Sequence, residues 1–527
     1  MDYGHAISIL EGRQDIKRLS AEELKKQAGQ YGTKTEHGSY NFFSTVRNRS
    51  ADFTVVVPSD IEKLTAERQR IYRNIGKTLE RVQKYIEKAP FVCVERVMGD
   101  NNVFAPKCTL YLSVQRPEHI RLAYMFSQLF FDDKKSTKDS LKIMYIPEWS
   151  ESERQILVFP EEGITYILGT DYFGEIKKGF LRLGMYHAKK HGMIGIHAAT
   201  KLVSIDTEKG KKKYVLMFFG NSGTGKTTHS CHDHFLEEGK IEIAQDDVVF
   251  LCKDGSTLGT EKNFYIKTED LEGACQRLLY EATLKKDAIL DNVMVNHSGV
   301  VDLSDYTLTS NGRAVIARND LAPHISESIN TPDIDKVDGM MILFVTRRNT
   351  IIPILSKLSR EQGAAAFMLG ESIETSAGDP RKAGESIRVV GTNPFMIGDP
   401  VFEGNWFHDF INHHNNIECF LVNTGGVGEI TERNGEVKVK QKVVRVDVNE
   451  MSHFIGGLIK GNIKWKKDEN FNILIPEKVE HVDLEKFNLE KYYTKEQIRK
   501  MAEDLIQERK EYMKKFKGLD KAIEEAV

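Results

Sequence analysis

The sequence predicts an α/β protein of two domains whose sheets are mixed rather than purely parallel. Three observations carry this expectation. The chain has 527 residues, against the ~150 of a typical domain. Apolar runs of strand length alternate with amphipathic helical stretches along most of it. The dipeptides Asp254-Gly255, Ser298-Gly299 and Asn434-Gly435 each sit between alternating apolar residues, the local signature of β-hairpins.

The elements follow in order. Helical periodicity with charged faces runs through 60–88, "DIEKLTAERQRIYRNIGKTLERVQKYIEK". Between 90 and 170 the runs "FVCVERVMG", "CTLYLSVQ", "LKIMYIP" and "ITYILGT" read as strands. The lysine-rich turn "TEKGKKK" at 207–213 precedes the strand "YVLMFF", so the expected boundary separates 1–205 from 206–527. "MMILFVT" at 340–346 reads as a buried strand. Near the C-terminus Thr494 and Gln497 form a capping box. Ile498, Met501, Leu505, Tyr512 and Phe516 then repeat on one side of a packing helix.

Hydrophobic residues make up 40% and charged residues 29%, the balance of a soluble globular protein. Lys and Arg number 74 against 77 Asp and Glu, so no global field points to nucleic acid or a membrane surface. The six cysteines, Cys93, Cys108, Cys231, Cys252, Cys275 and Cys419, form no CxxC pair, which argues against a disulfide framework or a zinc ribbon. The opening residues hold no apolar stretch of signal-peptide length, and no run approaches the ~20 residues that cross a bilayer. A cytoplasmic protein, monomeric or a small homo-oligomer, is expected.

In "LMFFGNSGTGKTTHS" at 216–230, Gly220, Gly225, Lys226 and Thr227 satisfy GxxxxGK[ST] after a strand. Glycines let backbone N–H groups turn onto phosphate oxygens, Lys226 adds a mobile charge, and the Thr227 hydroxyl suits Mg²⁺. With Ser222, Gly223, Thr224 and Thr228 these residues form the candidate nucleotide loop. Downstream, "IEIAQDDVVFL" places Asp246 and Asp247 at the end of one strand and the start of another. Adjacent strand residues face opposite ways, so one suits a metal and the other a supporting role. "LGTDYFGEIKKGF" at 168–180 brings Tyr172, Lys177 and Lys178 together, and "GMIGIHAAT" at 192–200 sets His197 in an apolar run. Taken alone, these read as a solvated basic pair and a core histidine.

In order along the chain, "GTDYFGEIKKGF", "GIHAAT", "GNSGTGKTTHS" and "QDD" resemble the ATP-type phosphoenolpyruvate carboxykinase family. The likeness extends to "VRNRSADFTVV" at 46–56, "FYIKTEDL" at 264–271, "DNV" at 291–293, "TSNGR" at 309–313 and "FLVNTGGVGE" at 420–429. It implies a two-domain carboxykinase-like fold with the phosphate loop in the C-terminal domain. It also implies conversion of oxaloacetate and ATP, or another phosphate donor, to phosphoenolpyruvate and CO₂. Lys178, His197 and Asp247 would hold Mn²⁺, which requires a neutral Lys178 with its pKa lowered beside Lys177 and the metal. Thr227 would serve Mg²⁺ with Asp246 in support. Gly223, Gly225 and Lys226 would cradle the phosphates and Lys267 would neutralise the γ-phosphate. Arg49 and Arg313 would clamp the carboxylates, with Tyr172 over the CO₂ position.

The sequence also departs from the family pattern. In the arginine loop Asn48 stands for a glycine and Ala51 for a proline, and one position is missing. "VVF" follows the double aspartate in place of Glu-His-Trp, and Gly426 replaces a tryptophan. The adenine-contacting arginine and threonine find no match in "EVKVKQKVVRVDV". "TRRNTIIPIL" at 346–355 introduces Arg347 and Arg348, a solvated pair or a site for an extra anionic group. A same-fold kinase of another small acid, or a nucleotide sensor without chemistry, are the alternative expectations. A zinc site in "HSCHDHF" at 229–235 is disfavoured, because only His229 and His232 share a helix face there.

Overall fold

A computed structural model describes residues 2–132, 136–150, 154–208, 210–221, 223–237, 240–269, 271–273, 276–373, 385–434 and 436–527. The chain divides into two compact units. The first comprises Met1–Gly195, Leu258–Gly273 and Leu279–Leu321; the second comprises Ile196–Thr257, Ala274–Leu278 and Ala322–Val527. The division therefore falls at Gly195, ahead of the expected residue 205, and two later segments return to the first unit. Local composition carries no signal for such a return, because it depends on pairing between distant strands.

The first unit is built on a seven-stranded sheet. The strands Phe91–Val97, Lys107–Ser113, Ser140–Ile146 and Ile164–Leu168 are the four expected from the apolar runs. They pair antiparallel, parallel and parallel in turn, so the sheet is mixed. Alternation separates its faces. Met144 and Ile146 join Tyr111, Leu157 and Tyr166 in a core against helix Ala66–Ile86, which contributes Ile71, Ile75, Leu79, Val82 and Ile86. Thr65 caps that helix by accepting from Arg68 N–H. On the other face Ile143 lies under Gly179 of helix Gly174–Lys190, where an added Cβ would stand 2.7 Å from the Ile143 Cδ1. A five-stranded sheet completes the unit in the order Phe264–Lys267, Arg313–Ile316, Ile289–Asp291, Tyr40–Phe42, Thr33–Lys34.

The second unit has an eight-stranded sheet. Its central strands Gly210–Gly220, Gly339–Thr346 and Ile417–Asn423 run parallel, and Gly339–Thr346 is buried on both faces, as the apolar text of 340–346 predicts. Phe218, Leu343 and Phe420 pack on helix Val448–Lys460. Phe219 and Phe344 face the other way, onto Phe367 and Phe407. The capping box at Thr494 opens helix Lys495–Met513, whose Ile498 and Ala502 pack with Ile351 and Tyr493.

Hairpins appear where the turn dipeptides predict them. Met294–Val295 pairs antiparallel with Val301–Asp302, and Ile430–Asn434 with Glu436–Gln441, Gly435 itself lying outside the described residues. At Asp254-Gly255 the turn closes through Cys252 N–H to Ser256 O at 3.0 Å, and Gly255 takes φ +82°. Among the described residues no helix is long and apolar enough to cross a membrane.

Gly255 combines two demands: its φ is left-handed, and an added Cβ would sit 2.7 Å from Ile334 Cβ. Gly192 has φ +76° but open space around it. Gly192→Ala should therefore cost about 1 kcal/mol in denaturant unfolding, the backbone penalty alone. Gly255→Ala should cost about 1–3 kcal/mol more, the overpacking penalty; equal costs would contradict the packing at this turn.

Candidate functional site

Register assembles the charged cluster of the first unit. Lys267 stands opposite Arg313, Arg313 opposite Asp291, and Asp291 opposite Phe42. Directly opposed residues share a face, so four remote positions of the sequence form one row. Beyond Phe42 the chain enters the loop that carries Arg47 and Arg49. Arg313 donates from Nη2 to Asn311 Oδ1 at 2.8 Å, and its guanidinium lies 5.7 Å from the Tyr265 ring centre. Lys267 pairs with Glu269.

Helix Gly174–Lys190 supplies two more cations. Successive helical residues point about 100° apart, and Lys177 and Lys178 reach different carboxylates. Lys177 Nζ is 2.9 Å from the fully buried Glu261 and 5.6 Å from the Tyr265 ring. Lys178 Nζ is 3.5 Å from Glu175 and 5.0 Å from the Tyr172 ring. The expected burial of Lys178 beside Lys177 is thus replaced by separate ion pairs. Burial pushes the Tyr172 phenol up, but Arg313 and Lys178 more than offset it and hold it below its ordinary value. Tyr265 is driven well above its ordinary value, first by burial and then by Tyr172 beside it. Two buried tyrosines thus lie among three cations, Arg313, Lys177 and Lys178.

In the second unit strand direction converges the cluster. Ala198–Thr207 is antiparallel to both Gly210–Gly220 and Ile241–Gln245. The start of the first strand therefore meets the ends of the other two, which brings His197, Gly220 and Asp246–Asp247 to one edge. Parallel pairing places the ends of Gly339–Thr346 and Ile417–Asn423 at the same edge, the position where open α/β sheets bind ligands.

The loop at that edge is shaped by its glycines. Gly225 takes φ +95° as N-cap of helix Lys226–Cys231. A Cβ on Gly220 would stand 2.6 Å from Thr224 Oγ1. Thr424 Oγ1 donates to Thr224 O at 2.6 Å, and Thr228 Oγ1 to Gln276 Oε1 at 2.9 Å. Ser222 lies outside the described residues.

Asp247 is the hub. Its Oδ1 accepts from Lys226 Nζ at 2.6 Å and lies 3.0 Å from His197 Nε2. His197 Nδ1 is 2.6 Å from Thr392 O, so that nitrogen carries the proton and Nε2 presents its lone pair. Burial, then Lys226, hold the imidazole below its ordinary pKa. A neutral nitrogen and a carboxylate oxygen facing each other are a donor pair that fits a divalent cation. Among the described residues no three His, Cys, Asp or Glu side chains converge as a metal site. Asp246 and Asp247 lie in the bend between Gln245 and Val249 rather than within strands, with Asp246 almost fully buried.

With this geometry in place, comparison with known proteins is decisive. Residues 13–485 match the model of the phosphoenolpyruvate carboxykinase family. The chain belongs to this family. A phosphoenolpyruvate carboxykinase (ATP) of Aeropyrum pernix is 31% identical over 434 residues, 82% of each chain. One of Staphylococcus aureus is 29% identical over 372 residues, 70% of this chain and 65% of its own. The protein is accordingly an enzyme of phosphoenolpyruvate carboxykinase type, and its mixed α/β sheets agree with that family.

Other sequence expectations are corrected. Arg348 is neither solvated nor open to an added anion: its Nη2 lies 2.9 Å from Glu371, which Arg388 and Arg509 also hold, at 3.1 and 2.8 Å. Burial pushes the Glu371 carboxyl up, but these arginines outweigh it and keep it ionised. The helix after the phosphate loop ends at Cys231, so His232 and His234 lie beyond it and share no helix face with His229. Glu261, Asn311, Thr392 and Thr424 were not singled out by sequence. Only Asn311 and Thr424 had a signal, within "TSNGR" and "FLVNTGG".

Lys201 is fully buried and donates to His229 O and His232 O, each at 2.9 Å, closing the end of helix Lys226–Cys231. Burial lowers its pKa to about 7, partly offset by Cys231 and Asp233. Unfolding restores the ordinary value near 10.5, so between these values the unfolded chain binds more protons and stability rises with pH. Unfolding free energies of the parent and Lys201→Met should therefore diverge in the parent's favour above pH 7, by at most about 1.4 kcal/mol per pH unit. A pH-independent difference between the two would contradict the buried ammonium.

Proposed function

We propose that the chain is an ATP-dependent carboxykinase that converts oxaloacetate and ATP to phosphoenolpyruvate, CO₂ and ADP. The observation that carries this reading is the row of Lys267 and Arg313 beside the Tyr172–Tyr265 pair and its lysines. Family membership and the relatives named phosphoenolpyruvate carboxykinase (ATP) support it. A sensor would need no such set of cations around buried phenols.

Arg49 and Arg313 bind the carboxylates of the acid, and Tyr172 covers the departing CO₂. Breaking the C–C bond leaves its electron pair as an enolate, where Lys177 and Lys178 place positive charge. The enolate oxygen attacks the γ-phosphorus in line, and the bond to ADP breaks as the new P–O bond forms. Lys267 neutralises the γ-phosphate. The N–H groups around Gly220, Gly223, Thr224, Gly225 and Thr228 cradle the phosphates with the Lys226 ammonium. His197 and Asp247 would hold Mn²⁺, and Thr227 with Asp246 would serve Mg²⁺. When bound, these ions supply the positive charge that polarises enolate and phosphoryl oxygens.

Purified protein given Mn²⁺, ATP and oxaloacetate should form phosphoenolpyruvate. Folded protein that turns over oxaloacetate with neither ATP, GTP nor pyrophosphate would overturn the reading. Lys226→Ala should weaken ATP binding about tenfold or more, whereas Arg313→Ala should leave it within about twofold and lower kcat/KM for oxaloacetate about 100-fold or more. Equal loss of ATP binding in both would contradict this division of labour.

A further inference from the structure

The arginine loop, residues 44–50, lacks the glycine and proline that its relatives' pattern carries, yet it is held at both ends by buried carboxylates of one segment. Thr45 N–H donates to Asp171 Oδ2 and Val46 N–H to Asp171 Oδ1, each at 2.8 Å. Ser50 N–H donates to Glu175 Oε1 at 2.7 Å. Asp171 is itself fixed by buried Arg121, whose Nη2 reaches its carboxylate at 3.0 Å and its backbone oxygen at 2.8 Å. The other Arg121 nitrogen lies 3.8 Å from Asp291, in the row that holds Arg313. Ser44 N–H is taken by Asn292 Oδ1 at 2.9 Å.

We propose that Asp171, anchored by Arg121, is a positioning residue that presets the arginine loop for the carboxylates of the acid substrate, with Glu175 as the second clamp. The inference rests on the carboxykinase reading for the identity of the acid, though not for the clamp itself. Thr45, Asn48 and Arg49 are exposed, and an exposed loop without glycine-proline punctuation pays ordering entropy on binding unless its backbone is already fixed. Two adjacent N–H groups on one carboxylate fix it, since hydrogen bonds to carboxylates are the strong ones. Asp171 lies immediately before Tyr172, so the residue that holds the loop is tied in sequence to that buried phenol.

Asp171→Asn offers one carbonyl oxygen in place of two carboxylate oxygens and cannot serve both N–H groups and the guanidinium. It should raise KM for oxaloacetate about tenfold or more, with KM for ATP within about twofold and kcat within about threefold. No change in KM for oxaloacetate, or an equal rise in both KM values, would overturn the proposal. Should this variant not fold, amide hydrogen exchange of the parent decides. Thr45 and Val46 should exchange about 100-fold slower than unstructured peptide, and exchange at the unstructured rate would overturn the clamp. Protected amides in a protein that turns over no oxaloacetate would instead reject the carboxykinase reading and leave the clamp standing.

Discussion

Strand pairing is the constraint on which both charged clusters depend, through register in the first unit. A slip of one residue turns a whole row to the opposite face. Lys267, Arg313 and Asp291 share a row only because Phe264–Lys267, Arg313–Ile316 and Ile289–Asp291 pair as they do. In the second unit, strand direction takes the place of register. The antiparallel placement of Ala198–Thr207 between two strands brings His197, Gly220 and Asp247 to one edge although they are spread along the chain. The apolar alternation of these strands, Phe218 to one core and Phe219 to the other, is what pins that placement.

Several buried charges among the described residues are compensated pair by pair. Lys177 has Glu261, Lys178 has Glu175, Lys226 has Asp247, and Glu371 has three arginines. An unpaired buried charge costs several kcal/mol by general estimate, on the order of 3–5 when a partner is removed. The second partner is therefore as important as the functional group it faces. The Asp247 oxygen that Lys226 holds also faces His197. A neutral nitrogen and a carboxylate oxygen at 3.0 Å are both electron donors, and that pairing suits a cation supplied from solution.

Much of this was legible in the sequence, and the remainder shares one cause. The strands of 91–168, the helix Ala66–Ile86, the hairpin turns and the Thr494 capping box are patterns local to one stretch of chain. The order of "GEIKK", "GIHAAT", "GKTT" and "QDD" identified the family before any geometry. What sequence missed is long-range. Glu261 as partner of Lys177, Thr392 O as the acceptor that fixes the His197 tautomer, and Glu371 as the centre for Arg348 are set by contacts between remote segments. The return of 258–273 and 279–321 to the first unit belongs to the same class. Arg347-Arg348 read as surface because a charge pair in a polar stretch is usually solvated, and nothing nearby in sequence announces Glu371.

The most direct test of this arrangement is Mn²⁺ binding followed by pulsed electron paramagnetic resonance. Bound Mn²⁺ should show coupling to an imidazole nitrogen, and that coupling should vanish in folded His197→Gln. Imidazole nitrogen coupling that persists in His197→Gln, or a folded parent protein that binds no Mn²⁺, would contradict the assignment of His197 and Asp247 as the cation's donors.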